Sequence, residues 1–399
     1  MAATRLRVAD VLRACWTRYN REHRLPPHVA KAVRSILKCR TSELGGHIHA
    51  CDQCGGEVPV YNGCQTRHCP SCQSKARGKW LADRCADLLP VEYFHVVFTL
   101  PHSLNGLIDA NRKVLLAELF SVTGWVLQSF AHDPQWRLEG ELGYVAMLHT
   151  WNQRLHEHFH LHCLVPGGVW RASAKPSGED GREATGAWIP CRRKWLFGKD
   201  ALAAAFRNRY IKRLRALRKR GTLTYGGAAA ALADDQAWDT LLGKLETCKW
   251  IVYPKTTPGT PAKALEYLAR YTHKVAISDA RIRNIENGSV TYTWRDRADN
   301  NIEKPDTIPV EEFTKRFCYH ILPERFHKIR YGGWMSAARR KQTLAAIREA
   351  IGATPPEATA HERTDQAIDI TLCPHCSKGH LQKTAIRILP CRARPPPCK

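Results

Sequence analysis

The sequence predicts an α+β protein in which a central antiparallel sheet with flanking helices is preceded by a small zinc-binding domain. Three observations lead to this fold class. Cysteines recur at C-x-x-C spacing near the N-terminus, strand-like and helix-like patterns interleave farther on, and Asn287-Gly288 is a strong two-residue hairpin signal. Because hairpins join antiparallel neighbours, we expect an antiparallel sheet rather than a doubly wound parallel one.

The chain divides into three predicted segments. Residues 1–90 form a basic helical lead-in and the zinc-binding domain, residues 91–335 the main domain, and residues 336–399 a basic helix and a tail with one more C-x-x-C pair. The Pro/Gly/Ser-rich stretch 166–190 is interpreted as a loop or an insertion. Strands of the main domain are predicted at 93–100, 143–151, 158–165, 281–286 and 290–295.

Two helices of the main domain are predicted from their apolar stripes and caps. The first covers 200–220, is strongly basic on its other faces and ends before Gly221, a suitable C-terminal cap. The second begins at the N-cap Thr260 and runs to about His273. The apolar stripe of the first helix consists of Leu202, Phe206, Tyr210, Leu214 and Leu217.

The charge balance indicates a polyanionic partner. Lys and Arg total 61 against 37 Asp and Glu, a formal net charge of +24. A merely basic protein is the alternative, but such an excess repels itself in a compact state unless a partner neutralises it, so nucleic acid is the leading candidate. With no signal-peptide pattern and no run of about 18 apolar residues, no membrane span is expected. We expect a soluble, cytoplasmic and nucleoid-associated protein.

Four cysteines near the N-terminus have the spacing of a structural zinc site. The pairs Cys51-x-x-Cys54 and Cys69-x-x-Cys72 are separated by 14 residues, so two tight turns can each present two thiolates to one ion. A closed four-ligand site has no open position for substrate, so we expect this zinc to stabilise the fold and to shape a DNA-binding surface. A second four-ligand site is expected nearby, and the sequence leaves open which histidine serves. Its candidate ligands are Cys39, His47, Cys64 and His68, with His49 as a further candidate.

The remaining cysteines are less informative. Cys373-Pro-His-Cys376 can make half of another zinc knuckle, together with His380, Cys391 or Cys398, and the sequence leaves metal and no metal equally open. Disulfides are not expected in a reducing compartment. Isolated cysteines are interpreted as packing residues, namely Cys15, Cys85, Cys163, Cys191, Cys248 and Cys318.

Five histidines lie within 14 residues, between His149 and His162. In a strand His158, His160 and His162 share one face, with apolar residues on the other. A tight turn centred between residues 154 and 155 sets His149 opposite His160. We therefore expect His149, His160 and His162 to hold a catalytic divalent ion, with His158 as the alternative third ligand. A surface strand without metal, or a structural zinc, is the competing interpretation.

Tyr267 and Tyr271 are four residues apart in the second predicted helix and share one face, with Lys263, Arg270 and Lys274 beside or near it. Nearby cations favour the phenolate and would also hold a phosphate. Alone, such a pair more often consists of core aromatics. Beside a metal strand in a strongly basic chain, it is predicted to supply nucleophiles.

These motifs resemble the HUH rolling-circle transposases with two tyrosines, of the insertion sequence ninety-one family. The resemblance covers nearly the whole chain and rests on CDQCGGEVPVYNGCQTRHCPSCQ, HFHLHCLVPGG, EYLARYTHKVAISDARI and ILPERFHKIRYGGW. It implies an HUH endonuclease core whose sheet carries the metal pair and whose adjacent helix carries the tyrosines. By this resemblance His160 and His162 hold the metal with His149, and Tyr267 and Tyr271 are the nucleophiles, with Tyr267 favoured as the first.

The resemblance implies a DNA transposase that cleaves and rejoins single-stranded element ends through a covalent 5′-phosphotyrosine, with Mg²⁺ or Mn²⁺ at the histidines. The sequence has no Walker-type phosphate loop, so no nucleotide cofactor is expected. A plasmid replication initiator or relaxase would share this chemistry. A zinc hydrolase of small molecules would need a carboxylate base and would have no use for the net charge of +24. A non-catalytic zinc DNA-binding protein would leave the histidine strand without a metal.

Overall fold

The N-terminal part consists of two helices, a β-hairpin and a third helix. The computed structural model describes residues 6–172, 186–191, 197–257, 263, 275–354 and 372–390. The third helix begins with a proline at its first position, where the missing N–H needs no partner. The elements are α1 (Val8–Glu22), α2 (Pro27–Lys38), β1 (Gly46–Cys51), β2 (Glu57–Tyr61) and α3 (Pro70–Cys85).

A five-stranded antiparallel sheet forms the centre of the main domain and confirms the predicted fold class. Its strands are β3 (Tyr93–Thr99), β4 (Tyr144–Trp151), β5 (Glu157–Pro166), β8 (Ile251–Thr256) and β12 (Ile329–Gly332). They lie in the order β12-β4-β5-β3-β8, and every neighbouring pair is antiparallel. Three of the strands were predicted within two residues at each end, because apolar β-forming residues dominate them.

One face of the central sheet packs against helices and forms the main core. Phe98, Leu161 and Val252 of this face are fully buried. The helix α6 confirms the prediction for 200–220, since all five residues of its predicted stripe are buried. The helices of this layer are α4 (Asn105–Ala110), α5 (Arg112–His132), α6 (Lys199–Lys219) and α7 (Asp235–Thr247).

Among the described residues, α5 has the length and composition of a membrane-spanning helix. Its residues Leu115, Leu116 and Leu119 belong to the main core, and more than half of its most apolar 18-residue stretch is buried inside the protein. The core helix of a globular protein passes the same test, and the packing of α5 is of that kind.

A second core joins the N-terminal helices to a separate three-stranded sheet. Tyr292 and Phe313 are buried there together with Leu12 and Val33 of α1 and α2. Asn287 and Gly288 both have positive φ, as the predicted hairpin between β9 and β10 requires. The further elements are β9 (Ile282–Glu286), β10 (Ser289–Asp296), β11 (Ile302–Pro309) and helix α8 (Val310–Tyr319).

The interpretation of 166–190 as a loop or an insertion was wrong for its described residues. Strands β6 (Gly168–Ala172) and β7 (Gly186–Pro190) pair antiparallel over their whole length. Trp170 is buried there, against Trp334 and helix α9 (Arg340–Ala350). The interpretation rested on the frequent proline and glycine residues of this stretch, because its strand-like residues lie only in short runs at its two ends.

The described residues of the tail pair with the N-terminal region. Strand β13 (Leu381–Ile388) pairs antiparallel with β1 and makes a three-stranded sheet in the order β13-β1-β2. The described part of the segment 336–399 is therefore divided between α9, which packs against β7, and β13, which lies in the N-terminal zinc-binding region. Nothing in the local sequence pattern indicated this return of the chain.

Candidate metal centres

Two four-cysteine clusters stand at opposite ends of the β1–β2 hairpin. The first consists of Cys39, Cys64, Cys69 and Cys72, whose sulfur atoms lie within 4.8 Å of one another. Cys39 directly follows α2, and Cys69 is the N-cap of α3, so two helix ends bring these thiols together. The Sγ atom of Cys39 lies 3.5 Å from those of both Cys69 and Cys72.

The second cluster joins both ends of the chain. Cys51 and Cys54 lie with Cys373 and Cys376, again with all sulfur atoms within 4.8 Å. The Sγ of Cys51 is 3.7 Å from that of Cys376, and the same distance separates Cys54 from Cys373. Backbone N–H groups of His375 and Gly379 donate to the sulfurs of Cys373 and Cys376, as expected where thiolates are held in tight turns.

The sequence assigned the cysteines to the wrong partners. A single site of Cys51, Cys54, Cys69 and Cys72 cannot form, because strand β1 separates the two C-x-x-C pairs. Five residue steps from Gly46 to Cys51 span about 17 Å. Cys51 and Cys54 lie at the tip of the hairpin, and the other pair lies at its base.

The predicted second site was half correct. Cys39 and Cys64 do share a cluster, but Cys69 and Cys72 complete it. His47 lies on β1 opposite Arg387 of β13. His68 accepts a hydrogen bond from Arg67 at 3.2 Å, and burial together with nearby cations lowers its pKa to about 3. Neither histidine belongs to a cluster among the described residues.

Both cysteine clusters fit zinc, which takes four thiolates in a closed tetrahedral site. Hydrogen bonds from Cys64 and then Cys69 hold the pKa of Cys39 well below its usual range, while contact with Cys39 raises that of Cys69. Four thiols so close together therefore cannot all ionise unless a cation is bound. A dication at the centre removes this repulsion, and so the clusters support structural zinc.

A third cluster contains three histidines from the β4–β5 hairpin. The Asn152 side chain accepts hydrogen bonds from the backbone N–H groups of Arg154 and His156, and Leu155 adopts a positive φ. Next to this turn Trp151 pairs with Glu157, and a register shift between Trp151 and His149 then places His149 directly opposite His160, the pairing that the sequence predicted. The turn and the register shift beside it therefore decide together which histidines meet.

The ligand atoms of His149, His160 and His162 lie within 4.8 Å of one another. The imidazole centroids are 4.5 Å apart for His149 and His162 and 4.8 Å apart for His160 and His162. All three side chains are buried, with 3%, 8% and 6% of their surface exposed. His149 also stacks on Trp151, at 4.7 Å between centroids, which orients its ring.

Hydrogen bonds fix the orientation of two of these rings. Nδ1 of His160 donates to the carbonyl of His158 at 2.8 Å, a tautomer in which Nε2 carries the lone pair that a metal needs. Nδ1 of His162 is 2.8 Å from Nε2 of His95, whose ring stacks beside it. Burial and the nearby Lys255 lower the pKa of His95 to about 4, so the imidazole of His95 remains neutral near pH 7.

His95 is the residue of this site that sequence reasoning missed. It lies within the apolar run YFHVVFT of β3, where a single histidine gives no periodic signal. Only the pairing of β3 with β5 shows that His95 lies beside His162. His158, the alternative third ligand, lies at the edge of the histidine cluster, where its Nδ1 is 3.1 Å from Nε2 of His102.

The predicted nucleophiles Tyr267 and Tyr271 lie outside the described residues, together with Arg270 and Lys274. Lys263, which was predicted to support them, is described as an exposed helical residue. The strand that precedes this segment, β8, is the neighbour of β3 in the central sheet.

Comparisons with known proteins give the class of the protein. A family described as "Putative transposase" matches residues 143–343, and a family described as "Transposase zinc-binding domain" matches residues 11–100. A "Putative transposase y4qJ" of Sinorhizobium fredii is 37% identical over 100% of this chain and 99% of its own length. The "Transposase for insertion sequence element IS801" of Pseudomonas savastanoi pv. phaseolicola is 27% identical over 86% and 79%. No solved structure matches the chain.

The fold, the cysteine clusters and these relatives define a transposase with an N-terminal zinc-binding domain. The chain belongs to the insertion sequence ninety-one family of transposases, as its motifs indicated. The zinc-binding family match ends at residue 100, whereas two cysteines of the second cluster are supplied from beyond residue 370.

Proposed function

We propose that the protein cleaves and rejoins single-stranded DNA at the ends of its element, with Tyr267 and Tyr271 as nucleophiles and a divalent metal held by His149, His160 and His162. The convergence of three buried imidazoles from two paired strands carries this proposal. A histidine cluster of this kind has no evident role in packing, because burying polar rings costs free energy unless they bind a partner.

The donor set fits a divalent ion with an open position. Three protein ligands are what catalytic sites supply, and the His158 carbonyl and His95 orient two of them. Imidazoles favour Mn²⁺ over Mg²⁺, which prefers oxygen ligands. When bound, such an ion polarises a phosphate oxygen.

The remaining chemistry would belong to the tyrosines. A phenolate oxygen attacks phosphorus, the bond from phosphorus to the 3′ oxygen breaks, and the 3′ oxygen takes up a proton. A 5′-phosphotyrosine and a free 3′-hydroxyl result, and attack by a 3′-hydroxyl in the reverse direction rejoins the DNA. The number of phosphate ester bonds is conserved, so no nucleotide cofactor is required. Lys263, Arg270 and Lys274 would favour the phenolate and hold the phosphate.

We place this activity in the cytoplasm, at the nucleoid, and we retain 91–335 as the catalytic domain. The zinc-binding domain would then consist of the N-terminal region together with β13. The family assignment favours a transposase over a replication initiator or a relaxase, and the histidine cluster argues against a purely structural DNA-binding protein.

A nicking assay on single-stranded DNA that carries the element end tests the proposal. The wild type should form a covalent adduct with the 5′ end in Mn²⁺, in Mg²⁺ only at higher concentration, and not when both ions are omitted. Tyr267→Phe should remove most first-strand cleavage, and the double variant with Tyr271→Phe should form no adduct. Tyr319→Phe, an exposed tyrosine of α8, is the matched control. Metal-dependent cleavage by the double variant would show that water is the nucleophile and would refute the proposal.

A further inference from the structure

A row of side chains leads from the histidine cluster to the edge strand β8. His162 lies opposite Val97 of β3, and Val97 lies opposite Tyr253 of β8. Directly opposed residues share a face of the sheet, so the three side chains lie on the face that carries the metal ligands. Exposure rises along this row, from 6% for His162, through the half-buried Val97, to 53% for Tyr253.

The neighbours of Tyr253 on the same face are also open to solvent. Ile251 is 51% exposed, and Lys255 is exposed on the other side. The residues between them along β8 point to the opposite face of the sheet, where Val252 is fully buried in the main core. Strand β8 therefore presents an aromatic ring, an aliphatic side chain and a cation to the surface beside the metal ligands.

Cations continue around the edge of this strand. A groove between α6 and β8 is lined by Lys199, Arg207 and Lys249, together with Ile251 and Tyr253. The described lining contains one carboxylate, that of Asp200. The positive side chains thus lie beside the exposed aromatic ring, and the combination suits a strand of nucleic acid with unpaired bases.

We propose that the β8 surface, formed by Ile251, Tyr253, Lys255 and the cations of this groove, binds the single-stranded DNA next to the scissile phosphate, with a base stacked on Tyr253. The proposal rests on the proposed function and adds the path of its substrate. Two strand spacings, about 10 Å, separate His162 from Tyr253. That distance corresponds to about three stacked nucleotides at 3.4 Å each. Duplex DNA keeps its base faces covered, so this surface should discriminate in favour of single strands.

Binding can be measured without cleavage. Full-length protein with its structural zinc, and with no Mn²⁺ or Mg²⁺ added, is titrated into a fluorescein-labelled oligothymidylate and, separately, into a duplex of the same length at one fixed salt concentration. Tyr253→Ala should weaken binding of the single strand about 5- to 150-fold, as loss of one stacked base predicts. Tyr253→Phe, which keeps the ring, should bind within about twofold of wild type. Affinity for the duplex should change little.

The control removes an exposed aromatic ring elsewhere. Trp125 of α5 is 43% exposed on the helical layer, on the other side of the main core, and Trp125→Ala should bind the oligonucleotide as the wild type does. Equal affinity of Tyr253→Ala and wild type for the single strand would overturn the proposal. Equal losses in Tyr253→Ala and Tyr253→Phe would also overturn it, because the ring is then not what binds.

The outcomes separate this proposal from the proposed function. If wild type forms no tyrosine adduct but Tyr253→Ala still loses single-strand affinity, the chemistry is wrong and the surface stands. If the adduct forms in the wild type and Tyr253→Ala binds the oligonucleotide normally, the chemistry stands and the surface is wrong.

Discussion

The second cysteine cluster makes a quantitative prediction about zinc. The structure contains two separate four-sulfur clusters, so the purified chain should hold two zinc ions. Replacing Cys373 and Cys376 by serine removes two of the four ligands of one cluster and leaves the other intact, so the zinc content should fall from two ions to one. The alternative grouping of Cys51, Cys54, Cys69 and Cys72 predicts no change in this variant.

The zinc content can be measured by elemental analysis of protein that has been dialysed free of loose metal. The complementary variant Cys64→Ser with Cys72→Ser should also hold one ion, and the combination of all four substitutions should hold none. Cys248→Ser is the control, since Cys248 is similarly half-buried but lies in no cluster among the described residues. It should retain two ions.

The second ion should also hold the tail in place. Strand β13 pairs with β1, and Asp52 accepts a hydrogen bond from the backbone of His380 beside the cluster. Trypsin should therefore cut sooner after Lys383 and Arg387 in the variant that lacks Cys373 and Cys376 than in the Cys248→Ser control. Two ions in the Cys373 and Cys376 variant, or one ion in the wild type, would refute the grouping.

Two further predictions concern single histidines. His95→Phe removes the hydrogen bond to His162 and should weaken Mn²⁺ binding about 10- to 100-fold. The affinity can be measured from the electron paramagnetic resonance signal of free Mn²⁺, and His95→Gln should recover part of the loss. Unchanged affinity in His95→Phe would show that His95 does not position His162. Burial lowers the pKa of His320 to about 3, so the unfolded state binds its proton more tightly and stability should be lost as pH falls below about 6.5. Between pH 7 and pH 5 the titration of His320 should lower the free energy of unfolding by about 2 kcal/mol. Urea titrations at the two pH values measure this decrease, which should be absent from His320→Gln. Parallel pH profiles of wild type and His320→Gln would contradict the prediction.

The sequence was most informative where a feature depends on neighbouring residues. The β4–β5 hairpin is such a case, because alternation indicates which histidines share a face, and the turn with the register shift beside it lies only a few residues from the histidines that it pairs. The grouping of His149, His160 and His162 could therefore be predicted, and so could α6 and the turn at Asn287. Each of these depends on residues within about a dozen positions.

The sequence was least informative where partners are distant along the chain. Cys51 and Cys376 are 325 residues apart, and no local pattern distinguishes Cys376 from Cys72 as a ligand of the same ion. His95 and Tyr253 likewise gave no signal, since each is a single residue in an apolar strand. The pairing of β3 with β5 and β8 brought both to the face of the histidine cluster.

The sequence by itself determined the family of the protein and the reactive side chains that it contains, because residue types, short spacings and charge are local properties of the chain. It determined a zinc-binding region, a strand rich in histidines and an α+β core in a strongly basic chain. Only the tertiary structure decided which cysteines lie together, that β13 completes the N-terminal sheet, and which side chains flank the histidine cluster. These contacts depend on strand pairing between distant segments, and the free energy that selects such a pairing comes from the whole core rather than from the residues that it brings together.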